Sequence, residues 1–308
     1  MDQPQQKGIS FFRYLYLMGA MQQIQLINTV RWLALPEELD RLDIIKSAWK
    51  RASEKMTDLI SAERNTPDQS IVISPPESVL PRLREISEDQ LFKSSFSALP
   101  TDIKIIELDH IVAPQREVNL DYVNDLKNRI PGKKVEDLVE FCVGLRTTPP
   151  QLSKIQTAPN QMVFSSRSLD LRFLGGFPKP ITDHDIAVAH WGGQPVEMIS
   201  MFIGFGAAPI NAWMVGKRLI LGNGFHRVVA LRMSGITHIP IVIQHVSNPE
   251  IEFPDHYLGL SRTYLLQDPR PVLVKDFFDE ELTIELRLKP RKKTLKITWG
   301  QEDSIVPE

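Results

Sequence analysis

Between Leu42 and Leu59 the apolar residues Leu42, Ile45, Trp49, Ala52, Met56 and Leu59 stand 3, 4, 3, 4 and 3 positions apart. That interval draws one stripe down an α-helix and predicts that the stripe packs on a core. The helix should begin after Leu35, where Pro36 suits a first turn and Glu37 and Glu38 favour the positive end of the dipole. Residues 9–33 are rich in aromatics and glutamine. Their Leu15, Met18, Gln22 and Leu26 fall at helical intervals and predict one or two short helices. From Asn65 to Pro100 proline and serine interrupt the pattern, so residues 65–100 read as a linker arm with one short helix near Val79 to Ile86.

A second patterned segment opens with the β-branched run Ile103 to Leu108, a strand, followed by the loop Pro114-Gln115-Arg116. Asn119 is placed to cap a helix carrying Val123, Leu126 and Ile130, which Pro131-Gly132 ends. Val135, Leu138, Val139 and Cys142 share the next helical face, so Cys142 reads as a small core residue. Thr147 to Phe205, broken by Pro149-Pro150, Gly175-Gly176 and Gly192-Gly193, shows no dominant period.

Residues 209–245 are sharply ordered. Ile210 to Val215 and Arg218 to Leu221 are two strands joined by Gly216-Lys217, a dipeptide suited to a tight hairpin. Gly222-Asn223-Gly224 follows, then a helix from Phe225 to Ser234 that Gly235 stops, then a strand from Ile239 to Gln244. Beyond Val246 the prolines multiply around two strand-like runs, Leu282 to Leu288 and Thr294 to Trp299. The basic stretch Lys289 to Lys293 between them reads as a solvated hairpin turn.

Composition narrows the function classes. The 308 residues are 42 % apolar and 24 % charged, which suits a globular chain and excludes wholesale disorder. Lys plus Arg number 36 against 38 Asp plus Glu, so nucleic acid or anionic lipid would have to be met by a local patch. One cysteine forms no internal disulfide and no thiolate zinc cluster, which suits a reducing compartment. No apolar run approaches the ~18 residues of a membrane span. A cytoplasmic protein without a membrane span is therefore expected.

The glycine turn carries the most specific chemistry. Glycines let a backbone approach a ligand, and the following helix start offers unpaired N–H groups with a partial positive charge, a natural seat for an anion. His226 and Arg227 fall in the first helical turn, where each could add a side-chain donor. Asn223-Gly224-Phe225-His226-Arg227-Val228-Val229-Ala230, followed by Gly235 and Ile239-Pro240, resembles the signature of the ParB/sulfiredoxin superfamily. Ile105 to Leu108, Pro114-Gln115-Arg116 and Pro209-Ile210 precede it in the order usual for that superfamily. The likeness covers roughly residues 101–246, with 131–205 longer than the usual module and poorly matched.

The resemblance implies an α+β fold: a small mixed sheet with helices at 101–248, an N-terminal helical extension at 1–64, the arm at 65–100 and a C-terminal β-rich extension at 249–308. It also implies a phosphate pocket for a nucleotide, CTP in ParB-like members and ATP in sulfiredoxins, with magnesium. By position, Arg116, Asn223, Gly224, His226 and Arg227 would form it. Two departures redirect the chemistry. Phe225 stands where sulfiredoxins have a catalytic cysteine and partition proteins a glutamate, and a phenyl ring neither attacks nor takes a proton. Asn223 replaces an aspartate common in related motifs and is no base.

The leading expectation is therefore nucleotide or phosphate binding in a regulatory or interaction role, with a protein partner at the N-terminal helices. Catalysis stays open: a nuclease-like or kinase-like activity would draw on Asp109 and His110, or on Asp183, His184, Asp185 and His190. That last group could ligate a metal, although Asp as a helix cap is the commoner role and no metal site is expected. A scaffold without ligand is the third alternative. DNA binding also stays open, although the region after Val246 does not read as the helix-turn-helix that a partition-type binder needs.

Overall fold

The computed structural model describes residues 11–145, 148–187 and 193–306, apart from the side chains of 186 and 187. His190 and Gly192 of the sequence expectations lie outside the described residues. The chain opens with β1 (Phe12–Leu17), α1 (Gln23–Leu33), α2 (Pro36–Asp40), α3 (Leu42–Ala62), β2 (Val72–Ile73), α4 (Leu80–Glu88) and α5 (Gln90–Ser95). Next come β3 (Thr101–Glu107), β4 (Glu117–Asn119), α6 (Leu120–Lys127) and α7 (Val135–Val143). After these stand β5 (Ser153–Ala158), β6 (Gln161–Ser166), β7 (Leu171–Pro180), α8 (Asp183–Ala187) and β8 (Glu197–Phe205). The glycine turn lies among β9 (Asn211–Val215), β10 (Arg218–Asn223), α9 (Phe225–Met233) and β11 (His238–Val246). The chain closes with α10 (Pro249–Glu252), β12 (His256–Tyr257), β13 (Leu260–Ser261), α11 (Arg262–Gln267), β14 (Thr283–Leu288) and β15 (Lys293–Thr298).

The chain is mixed α and β, and it groups into two compact units. The first holds residues up to 147 together with 207–290. Its main sheet runs β10-β9-β11-β3-β2. β11 pairs parallel with β9 and antiparallel with β3. As the middle strand it buries Ile239, Ile241, Val242 and Ile243 completely, the signature of a β-branched run covered on both faces. Pro240 is tolerated because β9 joins only from Val242 onward, so Pro240 has a neighbour on one side alone.

The segment expected as one or two helices begins instead with β1, whose Tyr14 and Tyr16 are buried at alternate positions. β1 pairs with β14 on one side and β4 on the other. The period of two won over the helical spacing because two partner strands distant in sequence satisfy its backbone. The stripe of α3 buries Ile45, Ala52 and Met56 as expected, but the helix expected from Pro36 breaks at Arg41 into α2 and α3. The linker arm is more than a connection. Val79, Leu83, Ile86, Phe92 and Phe96 from it lie in the same core as the main sheet.

The second unit holds 148–206 and 291–308. It has a sheet of order β15-β6-β5 and a separate two-stranded ribbon, β7 with β8. The contacts therefore do not follow the four-part division read from the sequence. The basic run at 289–293 is not a hairpin turn either: β14 pairs with β1 while β15 pairs with β6, so the run carries the chain from one sheet to another. Among the described residues no helix is long and apolar enough to cross a membrane.

Candidate functional site

β10 ends at Asn223 and the chain turns through Gly224 into α9. Gly224 has φ +93°, and a Cβ there would lie 2.8 Å from Cγ1 of Ile210. Both the left-handed backbone and the lack of room demand glycine. No side chain caps the first turn of α9 and no acidic residue stands in it. The Phe225 and His226 amides have no acceptor among the described residues and sit at the positive end of the helix dipole. Phe225 points its ring into the core of the first unit, 8 % exposed.

The polar side chains of the motif serve the protein itself in this structure. His226 Nε2 accepts the backbone N–H of Asn119 at 3.1 Å, which leaves the proton of the neutral ring on Nδ1. The ring stands edge-on to Tyr122, with centroids 5.3 Å apart. Burial pushes its pKa down to about 4, so the imidazole is neutral at physiological pH and ties α9 to the start of α6. Arg227 donates to the carbonyls of Phe141 at 3.1 Å, Cys142 at 3.4 Å and Ala208. The first two belong to the end of α7, where helical carbonyls lack intrahelical partners, so the guanidinium closes that helix. Burial lowers its pKa. Asn223 Nδ2 donates to the Ala207 carbonyl at 2.6 Å. Sequence spacing placed these side chains at the turn correctly but could not show which way they face.

Topology brings Arg116 to the same end of the sheet as Gly224. Val112 forms a parallel bridge with Ile220, secured by Val112 N–H to the Leu219 carbonyl at 2.9 Å and Leu221 N–H to the Val112 carbonyl at 3.0 Å. From that bridge the two segments run in one direction, and Arg116 and Gly224 each lie four positions beyond it. This is the carboxyl end of β10, the side on which open α/β sheets seat their ligands. Arg116 gives one terminal nitrogen to Gln25 Oε1 at 3.1 Å, while its Nε is buried without an acceptor. Among the described residues no carboxylate pairs with it. Burial lowers its pKa, and the nearby Tyr264 offsets part of that.

Tyr264, on α11, is the neighbour that no sequence signal announced. Its phenol oxygen accepts the Val272 N–H at 3.1 Å, and burial pushes its pKa up, so it stays a protonated donor. Its hydroxyl proton has no acceptor among the described residues. The segment carrying Tyr264 lies outside the motif, and only the long-range packing of α11 brings it close. Arg116 is a donor with no carboxylate partner among the described residues, as an anion receptor requires, whereas Tyr264 also feels the charges of Asp268 and Asp276.

Of the alternative catalytic groups, Asp109, His110 and Asp185 are engaged within the chain. Asp109 takes Nε and Nη2 of Arg232 at 2.7 and 2.9 Å. His110 Nδ1 lies 2.7 Å from Glu107 Oε2, and Glu107 also accepts the Asp109 and His110 amides. In the second unit Asp185 accepts the backbone N–H and hydroxyl of Thr182, which with Lys179 holds its pKa down at about 2. Thr182 and Asp185 thus act as a capping pair for α8, the capping role expected of an aspartate in this group. Among the described residues no cluster of three or more His, Cys, Asp and Glu could hold a metal. The chain matches no protein-family model, no curated protein and no solved structure.

Proposed function

We propose that this chain is a ParB-like nucleotide- or phosphate-binding protein with a regulatory or interaction role, and that the anion sits at the carboxyl end of β10. One observation carries the proposal: Arg116, partly buried and without a carboxylate, stands at the sheet end where Gly224 leaves the first amides of α9 uncapped. A desolvated guanidinium is costly unless an anion compensates it, and helix amides at a glycine turn supply the matching donors. The succession of strand, Pro/Arg loop, hairpin, glycine turn, helix and strand supports the ParB/sulfiredoxin assignment. CTP or ATP with magnesium are the candidate ligands, bound through main-chain amides and Arg116, while His226 and Arg227 hold the turn in shape. Phe225 supports binding over turnover, since it offers neither nucleophile nor base.

The test is calorimetric titration of the full chain with CTP, ATP, ADP and inorganic phosphate, with and without magnesium. Binding that falls at least about tenfold in Arg116→Met, a loss of roughly 1.4 kcal/mol, supports the assignment. Absence of heat and of a thermal shift with every ligand at millimolar concentration rejects it.

A further inference from the structure

The ribbon of β7 and β8 lies in the second unit, and its strands hydrogen-bond only to each other among the described residues. Its two outer edges differ. β7 carries the devices that keep an edge from pairing: Pro178 and Pro180, a bulge between Phe173 and Gly175, and the charges of Arg172 and Lys179. β8 carries no proline and no bulge, and its one charge, Glu197, stands at its first position. From Met198 to Phe205 it reads Met-Ile-Ser-Met-Phe-Ile-Gly-Phe, without charge or proline, and its register is unbroken. Ile199, Met201 and Phe202 are open to solvent, with Ile199 75 % and Met201 40 % exposed, while Met198, Ile203 and Phe205 are half-buried. A lone two-stranded ribbon is marginal in water, and an unprotected edge is a template for a third strand.

We propose that the free edge of β8 pairs with β8 of a second copy of this chain, antiparallel about a two-fold axis at Met201, to form a four-stranded sheet. The strand's own sequence suits a copy of itself. About that axis Glu197 faces Phe205 of the second copy, Ile199 faces Ile203, and Met201 faces Met201. The strand's single charge never meets its like. The register places Ile199, Met201 and Ile203 on the same ribbon face as Phe173, so an apolar face continues across the axis. Arg172 and Lys179 lie on the opposite face and are held by Asp170 and Asp185. Pairing through β8 leaves the two protected β7 strands as outer edges, so growth stops at the dimer. The proposal does not depend on the nucleotide assignment.

Sedimentation equilibrium of the full chain tests it. The wild type should reach twice 35.1 kDa at micromolar concentration. Met201→Lys sets two ammonium groups across the axis and should leave a monomer, as should Met201→Glu. An equimolar mixture of the two variants should return to the dimer mass. Met201→Cys should oxidise to a covalent dimer across the axis, whereas the buried Cys142 should not. A wild type that stays monomeric to about 100 µM overturns the proposal, as does a Met201→Lys dimer of wild-type strength. A folded variant pair that fails to recombine overturns it too. Should Met201→Lys fail to fold, the absence of a Met201→Cys crosslink would decide against it.

Discussion

Two corners of the first unit each enclose an arginine, Arg270 fully and Arg116 in part, and their surroundings are opposite. Arg270 is 1 % exposed and gives Nη1 and Nη2 to Asp276, the Nη2 bond at 2.7 Å, and Nε and Nη2 to Glu63 at 3.2 and 2.8 Å. Burial lowers its pKa, but the two carboxylates outweigh that and the net shift is upward. Arg116 has a neutral glutamine, a tyrosine and, among the described residues, no carboxylate, and its net shift is downward. A guanidinium compensated from within the chain is a structural element. One left for something outside to compensate is a receptor, and substitution distinguishes the two.

The largest effect belongs to the compensated corner. Asp276→Ala leaves the Arg270 guanidinium buried with Glu63 alone, and the midpoint of urea unfolding should fall by the equivalent of about 3–5 kcal/mol. Both partners of Arg270 come from within the chain, so phosphate should not rescue the loss. Arg227→Ala comes next. It removes a donor from three carbonyls, two of them at the end of α7, and should cost about 2–4 kcal/mol in the same measurement. If phosphate affinity falls while stability holds, Arg227 belongs with Arg116 and not with Arg270.

A smaller effect is expected from His226. Its pKa is lowered from 6.5 to about 4 in the folded protein. Above pH 6.5 both folded and unfolded rings are neutral and the group adds no pH dependence. As pH falls from 6.5 towards 4 the unfolded ring takes up a proton that the folded ring refuses, so stability declines, by about 2–3 kcal/mol in all. His226→Gln, which keeps an acceptor for the Asn119 amide, should remove that component from the pH profile of the unfolding free energy between pH 7 and pH 4. An unchanged profile would mean that the ring is open to solvent, and therefore available to a ligand.

How much of this was legible in the residues depends on sequence distance. The strand at Ile103, the cap at Asn119, the hairpin about Gly216, and the helix between Gly224 and Gly235 rest on local periodicity and local turn chemistry, and all stand in the structure. β1 was hidden because its partners β14 and β4 lie far along the chain. The break of the basic run at 289–293 was hidden for the same reason, since the strands either side choose β1 and β6. At the site, residue types at the turn were readable, whereas the inward aim of Arg227 depends on α7 and the presence of Tyr264 depends on α11.

The smallest stability effect should come from Arg116 itself, and it bears most directly on the difference between the two corners. Arg116→Met keeps most of the apolar stem, removes a desolvated charge and breaks one hydrogen bond from the guanidinium to the neutral Gln25. The removed burial penalty offsets the lost bond, so unfolding free energy without ligand should change by less than about 1 kcal/mol. With phosphate or nucleotide present the wild type should gain stability by mass action, and the variant should not. In that ligand-dependent gain Tyr264→Phe should fall between them, because Arg116 stays, although the variant also takes the acceptor from the Val272 N–H and so lowers stability without ligand. A drop of several kcal/mol in ligand-free Arg116→Met would place this arginine beside Arg270 as a structural element, since a side chain whose loss already costs that much was compensated before any ligand arrived.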